Sequence, residues 1–599
     1  MQPAAGVRWD LSALFSSPDD AKIAQSWADS NRRADAFDAK WRGRIKTGQL
    51  SPQELAEAIT ELESLSQQAG KPVTFSHLLF AADSSDPKTG AFLQAQMEEV
   101  SQVRIKLMFF DLELQEAPDN WIASCLSDPS LADYRHFIQV SRLYKPHTLS
   151  ETEERLLEET SNIGSRAWQR LHEEILSNHR FTYRNPESSE DEKLTQEAVL
   201  NKLRHENRAV RQAAADALSA GLAEHERTIV FIYNTLLADK KLEDRLRSFA
   251  NPEDSRHMAN ELDKSTVDIV MSLCKERGDL VARYYEVKKR ILGLDKLTQI
   301  DRYAPLFDAK AKKSWDEARE IVRSSFQEFS GEMAARAEEF FDQNWIDAEM
   351  RDGKTGGAFC SYLTPDTHPV VLMTYQGTLD NVMTLAHELG HGVHSSLSRK
   401  QSYFNYHGTL PLAELASIFG EMLVFENVVA EAALQDKVAL YGEKLEGIFA
   451  SVHRQSAMFR FEQRAHAHRR DKGELTPEDF SAIWQEEIQS MFGTSIELDD
   501  QHKRWWLYVS HFFHTPFYVY AYSFGELLTM AVYEKAKQEG PSFAAKYVDV
   551  LERGGSESPH ELMARLGVDL RDKSFWEGGF AVIDRMVGEF ERLWAEYSR

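Results

Sequence analysis

The residues best placed to do chemistry are His387, Glu388 and His391, in the run Thr384-Leu385-Ala386-His387-Glu388-Leu389-Gly390-His391. Leu379, Val382, Met383 and Leu385 fit a helix here, and two histidines four apart on a helix project from one face, so both imidazoles can reach a single ion. The intervening Glu388 lies close enough to take a proton from a water held there, which is the arrangement of a metallopeptidase. With 20 histidines in 599 residues a chance HExxH is common enough that the motif alone decides little. The plain alternative is a surface helix with two satisfied histidines.

A catalytic zinc needs a third protein ligand and one open position. Glu414 suits that place: it sits in the helical pattern Pro411-Leu412-Ala413-Glu414-Leu415-Ala416-Ser417-Ile418-Phe419-Gly420-Glu421 after a loop at Tyr406-His407-Gly408-Thr409, far enough from His391 for the chain to turn and come back. Glu421 lies two turns further on the same face and suits an acceptor behind a ligand imidazole, with Asp380 a weaker candidate. His394 is too close to His391 in sequence to ligate beside it without straining one helix, and His407 lies in the intervening loop. Neither displaces Glu414.

Further along, His511, Tyr518 and Tyr522 are separated by seven and four residues and would share a helical face, with Tyr520 pointing elsewhere and Pro516 disturbing the first turn. Such a face could donate hydrogen bonds to an oxyanion. On pattern alone, an aromatic core stripe is the plainer reading.

The elements that must position these residues are mostly helices. Ser51-Pro52-Gln53-Glu54 reads as a capping box opening a helix whose stripe is Leu55, Ile59, Leu62 and Leu65, closed by Gly70 and Pro72. Similar starts occur at Ser150 with Glu153 and at Thr476 with Pro477 and Asp479. The clearest strand is Pro369 to Tyr375, a small β element just before the HExxH helix. That strand and the glycine-bearing segment from Gly356 to Cys360 could pair with a peptide backbone, or form an ordinary hairpin. The polar stretch from Asn185 to Lys193 reads as a hinge, giving an N-terminal helical lobe over 1–190 and a catalytic region over 191–599.

Composition bounds the rest. The 70 basic and 95 acidic residues give a formal charge of -25, which disfavours nucleic acid and anionic membranes as partners. Three scattered cysteines argue against a disulfide framework and a thiolate metal site. No signal-peptide core or membrane-length apolar run is legible, so the expected location is the cytoplasm. Nothing in the sequence specifies an oligomeric state.

Taken together, the motifs resemble the thimet-oligopeptidase-like zinc metallopeptidases, and within them the oligoendopeptidase F branch. The resemblance rests on Trp9-Asp10-Leu11-Ser12-Ala13-Leu14-Phe15, Gly357-Ala358-Phe359-Cys360, the HELGH run with His394 after it, Ala413-Glu414-Leu415-Ala416-Ser417, Phe517-Tyr518-Val519-Tyr520-Ala521-Tyr522, and Gly567-Val568-Asp569-Leu570 with Phe575-Trp576. It implies a mostly α, two-lobed body around a deep substrate channel. It also implies one zinc ion on His387, His391 and Glu414, Glu388 as general base, and a His and Tyr pair for the transition state, falling on His511 and on Tyr518 or Tyr522. The implied activity is endopeptidase cleavage of short unstructured peptides. An exo-acting peptidase of the dipeptidyl carboxypeptidase kind is the alternative, and an inert helical peptide-binding scaffold is a further one that the intact Glu388 opposes.

Overall fold

The computed structural model describes residues 3–307 and 312–599. It is mostly helical, with one two-stranded and one three-stranded sheet among the described residues. The chain forms two compact units, each assembled from separate stretches: 1–148, 311–431 and 535–569 make unit 1, and 149–310, 432–534 and 570–599 make unit 2. The stretch expected as a hinge is the turn of an antiparallel hairpin within unit 2, between β1 (Phe181–Arg184) and β2 (Asp191–Leu194), with Phe181 opposite Leu194. Ser189 takes the left-handed conformation in that turn, at φ 60°.

Local sequence dictates the helix starts as expected. At the head of the Pro52–Ala82 helix, Glu54 N–H donates to the Ser51 hydroxyl at 3.2 Å and the Glu54 carboxylate accepts from Ser51 N–H at 2.9 Å. The same reciprocal pair forms at Ser150 with Glu153 and at Thr476 with Asp479. The expected stop at Gly70 and Pro72 does not occur. The helix runs on through Pro72 to Ala82, because Phe75 and Leu78 continue the buried stripe of Leu55, Ile59, Leu62 and Leu65. Burying these side chains, at about 1.5–3 kcal/mol each, outweighs the roughly 3 kcal/mol cost of proline inside a helix. Leu363 and Val370 join the same core, so the N-terminal helices of unit 1 back its sheet.

That sheet has β5 (Val370–Leu372) in the middle, parallel to β3 (Ile346–Asp347) on one side and antiparallel to β4 (Phe359–Ser361) on the other. Within the strand expected over Pro369 to Tyr375, Val370–Leu372 takes the hairpin alternative with β4 rather than pairing with a peptide: both its edges are occupied, and its three residues are fully buried. β4 holds an edge. The loop joining β3 to β4 is clamped by the buried Asp347 carboxylate, which accepts from Arg351 at 2.6 and 2.7 Å and from Lys354 at 2.7 Å.

The HExxH run sits on the Leu379–Ser398 helix, opened by the Thr378 hydroxyl accepting from Asn381 N–H at 3.1 Å. Leu379, Val382, Leu385, Ala386, Leu389 and Val393 are all buried, so the helix runs through the unit's interior. Its main neighbour is the Leu415–Glu431 helix. A β-carbon on Gly390 would stand 2.4 Å from the Ala416 carbonyl oxygen and 2.6 Å from the Ser417 α-carbon, so the two backbones touch where any other residue would hold them apart. Gly420 repeats the device against the Phe326 ring, at 2.8 Å.

Gly390→Ala should lower apparent stability by about 1–3 kcal/mol, the usual penalty for overpacking a rigid contact, although alanine is the better helix former. Guanidinium denaturation of the purified variant checks this, and a stabilised variant would contradict the backbone contact.

Candidate functional site

The approach at Gly390 sets the position of Glu414, which ends the short Leu410–Ala413 helix and immediately precedes the Leu415–Glu431 helix. His387 Nε2 lies 3.3 Å from Glu414 Oε2, and His391 Nε2 lies 3.4 Å from the same oxygen. The imidazole rings stand 5.0 Å apart at 82°. A tetrahedral zinc with bonds of about 2.0–2.1 Å requires its donor atoms to be about 3.3 Å apart, so these side chains have the spacing and chemistry such an ion needs. Three donors from protein leave the fourth position for water or substrate.

Behind the donors, His387 Nδ1 meets Glu421 Oε2 at 3.2 Å, leaving Nε2 to face the shared position. The Ser417 hydroxyl donates to Glu414 Oε2 at 2.7 Å, one turn into the helix. Sequence reading gave Ser417 no role and missed Gly390; a glycine inside an otherwise continuous helical pattern was the available signal. Asp380 is exposed in the first turn of its helix.

The electrostatics separate the carboxylates. Glu388 is 6% exposed, and burial raises its pKa despite His387 and His391 nearby and a hydrogen bond from the Cys360 backbone. Burial would raise Glu414 too, but hydrogen bonds from both histidines outweigh it and hold that pKa well below the carboxylate range. His387 shows the converse. Burial opposes its charge, yet hydrogen bonds to Glu414 and Glu421 carry its pKa up to about 10. Positive charge is therefore favoured where a cation would sit.

A cavity of about 670 Å³ opens onto these groups, lined by Ala358 to Tyr362, by His387, Glu388 and His391, and by Leu410, Leu412, Ala413 and Glu414. His394 and His407 line it as well, but no group of three converging metal donors among the described residues includes either. His394 stands edge-on to Tyr362, and burial, then the charges of His391 and His407, lower its pKa to about 3, while His407 stacks on the same tyrosine with centroids 5.2 Å apart.

In unit 2, His511, Tyr518 and Tyr522 come together, though not on one helix face as expected. The Ser510–His514 helix ends before Pro516, and a new helix starts at Tyr520, so Tyr518 lies in the break. His511 Nε2 is 3.3 Å from the Tyr522 hydroxyl, and its ring is stacked on Tyr518 with centroids 5.7 Å apart. Tyr520 points elsewhere: its hydroxyl meets His257 Nδ1 at 3.1 Å and accepts from Asn260 at 2.8 Å.

The break is held by a residue that sequence reading missed. Phe517 has φ 60°, a strained value for a bulky side chain, and its N–H donates to the fully buried Glu462 carboxyl at 2.8 Å. Burial pushes Glu462 up to about 8, against the Phe517 hydrogen bond and the Arg256 charge, so it is uncharged at neutral pH. The folded chain thus binds this proton more tightly than the unfolded chain. The associated stability is complete below about 4.5 and lost as pH rises through about 8. Glu462→Gln should match the parent near pH 4, already exceed it in stability near pH 6 and exceed it most near pH 9; urea denaturation at the three values checks the growing difference.

A model of peptidase family M3 matches residues 202–582, and a model described as oligopeptidase F matches residues 113–181. The chain is 26% identical to oligopeptidase PepF of Bacillus subtilis over 93% of its own length and 83% of the relative's. It is 27% identical to group B oligopeptidase PepB of Streptococcus agalactiae over 91% of each chain. Its fold is similar to the crystal structure of oligoendopeptidase-F from Enterococcus faecium, with a TM-score of 0.73 at 22% identity, covering 96% of this chain and 98% of that one.

Proposed function

Because the chain belongs to peptidase family M3 and is a metallo-oligopeptidase, we propose that it is a zinc-dependent endopeptidase cleaving short peptides, with Glu388 as general base. The observation that carries this reading is the spacing of His387 Nε2 and His391 Nε2 at 3.3 and 3.4 Å from Glu414 Oε2, beside the buried Glu388. His387, His391 and Glu414 would hold the ion. Zinc bound there supplies Lewis acidity toward water and a peptide carbonyl.

The chain's own residues do the remainder. Glu388, with its pKa raised by burial, takes a proton from the attacking water and passes it to the departing amine. Glu421 keeps the His387 ring turned. His511, with Tyr518 or Tyr522, is proposed to donate to the oxyanion, a role suited to groups already in mutual contact. The β4 edge is proposed to align the peptide main chain. Three free cysteines suit a reducing compartment, and we propose action in the cytoplasm; no helix among the described residues is long and apolar enough to cross a membrane.

Glu388→Gln should lose about a thousandfold in turnover at unchanged zinc content, measured by peptide cleavage beside metal analysis. Normal turnover in a metal-replete variant would sink the mechanism. Glu414→Ala should lose zinc where His394→Ala and His407→Ala retain it. Tyr522→Phe and Tyr518→Phe separate the two tyrosines: the one serving the transition state should lower kcat with KM and zinc content little changed. Products from one peptide with free and blocked termini distinguish internal cleavage from end trimming.

A further inference from the structure

A second convergence of metal-ligating side chains lies in unit 2, at His179, Glu224 and His225. His179 immediately follows the Ser165–Asn178 helix and stands just before β1. Glu224 and His225 come from the long Arg208–Leu246 helix, three and four residues after Gly221, so all three positions share one face. A β-carbon on Gly221 would stand 2.4 Å from the Phe181 ring and 2.6 Å from His179 Nε2. Glycine therefore lets the turn bearing His179 settle directly against that face.

The His179 ring is fixed from several sides. It meets Phe181 edge-on at 4.5 Å and 83°, and His225 edge-on at 4.8 Å and 87°. His179 Nδ1 and His225 Nε2 are 2.9 Å apart, and one nitrogen of each ring and a Glu224 carboxylate oxygen lie within 4.8 Å of one another. Without an ion, one proton bridges the two nitrogens. That pair suffices to explain their contact, but not the carboxylate converging on it.

We propose that His179, His225 and Glu224 form a second divalent-metal site, taking a borderline transition ion such as zinc through one nitrogen of each imidazole and one carboxylate oxygen. The donor types suit zinc, copper or nickel rather than calcium or magnesium. Binding needs no net loss of protons: the bridging N–H moves to the other nitrogen of its own ring, and both imidazoles ligate as neutral groups. Lys193 and Arg180, held by the Thr182 hydroxyl and by the Ser177 and His179 carbonyls, oppose a cation there, and the Glu224 carboxylate offsets them. Glu224 is exposed, so the ion would exchange with solvent. Its effect is that of a clamp, tying the end of one helix and the start of β1 to the long helix.

The test is calorimetric zinc titration of the enzyme after it has been loaded with one equivalent, repeated with cobalt to read coordination by absorption. The native chain should take up a second equivalent. His179→Ala and His225→Ala should each abolish it, Glu224→Gln should weaken it about tenfold, and His391→Ala should keep it while losing the other. Excess zinc should also raise the Tm of the native chain and not that of His225→Ala. Glu224→Gln alters only an exposed side chain, so it remains informative even where an alanine variant fails to fold. A native chain that stops at one equivalent overturns the proposal. So does a second equivalent that survives both histidine variants, which is an adventitious ion only, or one that Glu224→Gln leaves unchanged.

Discussion

The contact on which the candidate site depends is between two backbones. At Gly390 the Leu379–Ser398 helix meets the Ala416 carbonyl and the Ser417 α-carbon with no side chain between them. His387 and His391 are fixed to one helix by their spacing of four, but Glu414 belongs to the next, and only the separation of the helices decides whether its oxygen arrives 3.3–3.4 Å from both imidazoles. Ordinary helix packing keeps axes 8–10 Å apart on a layer of side chains, and that layer can repack. A backbone contact cannot. It transmits the rigidity of both buried helices to the donors and leaves little freedom to be lost when an ion binds.

The same packing gives three glutamates in one small volume three different characters. Glu414 accepts from two imidazoles and stays ionised; Glu388, with fewer partners, is pushed upward by burial; Glu421 faces the far nitrogen of His387. The net charge of -25 contributes nothing to this, since charges on the surface are screened within about 10 Å of salt solution. What matters is that Glu414 and Glu421 bracket His387 strongly enough to hold a proton on it up to about pH 10 when no ion is present. A metal must displace that proton, so affinity falls in acid.

How much of this was legible depended on whether the information was local. The HExxH helix and the capping boxes at Ser51, Ser150 and Thr476 were readable because residue type and spacing along one stretch of chain decide them. The resemblance to oligoendopeptidase F, built on short motifs scattered over the chain, agrees with the family and the fold found by comparison. Features decided by distant partners were not readable. Pro72 reads as a stop and is overridden by the stripe beyond it. The spacing of His511, Tyr518 and Tyr522 implied one helix, whereas Phe517, locked by a glutamate 55 residues earlier, breaks the chain and still assembles the cluster. The segment 185–193 has the composition of a hinge, because the turn of a polar hairpin and a linker use the same residues.

The sheet bears on the proposed substrate through the length of its free edge. With β5 enclosed, β4 is the strand among the described residues whose edge borders the cavity, and the Cys360 amide is already directed to Glu388. Three residues of edge extend about 10 Å and can align about three residues of peptide. One or two hydrogen bonds at a net of about 0.5–1.5 kcal/mol each give at most a few kcal/mol. Straightening three residues of a short unstructured peptide costs a comparable amount, so such a peptide can be held with little demand on its side chains. Opening the same stretch within a folded domain costs up to that domain's stability, typically about 5–15 kcal/mol. An edge this short cannot supply the difference, which favours short flexible peptides over folded domains as the substrate class.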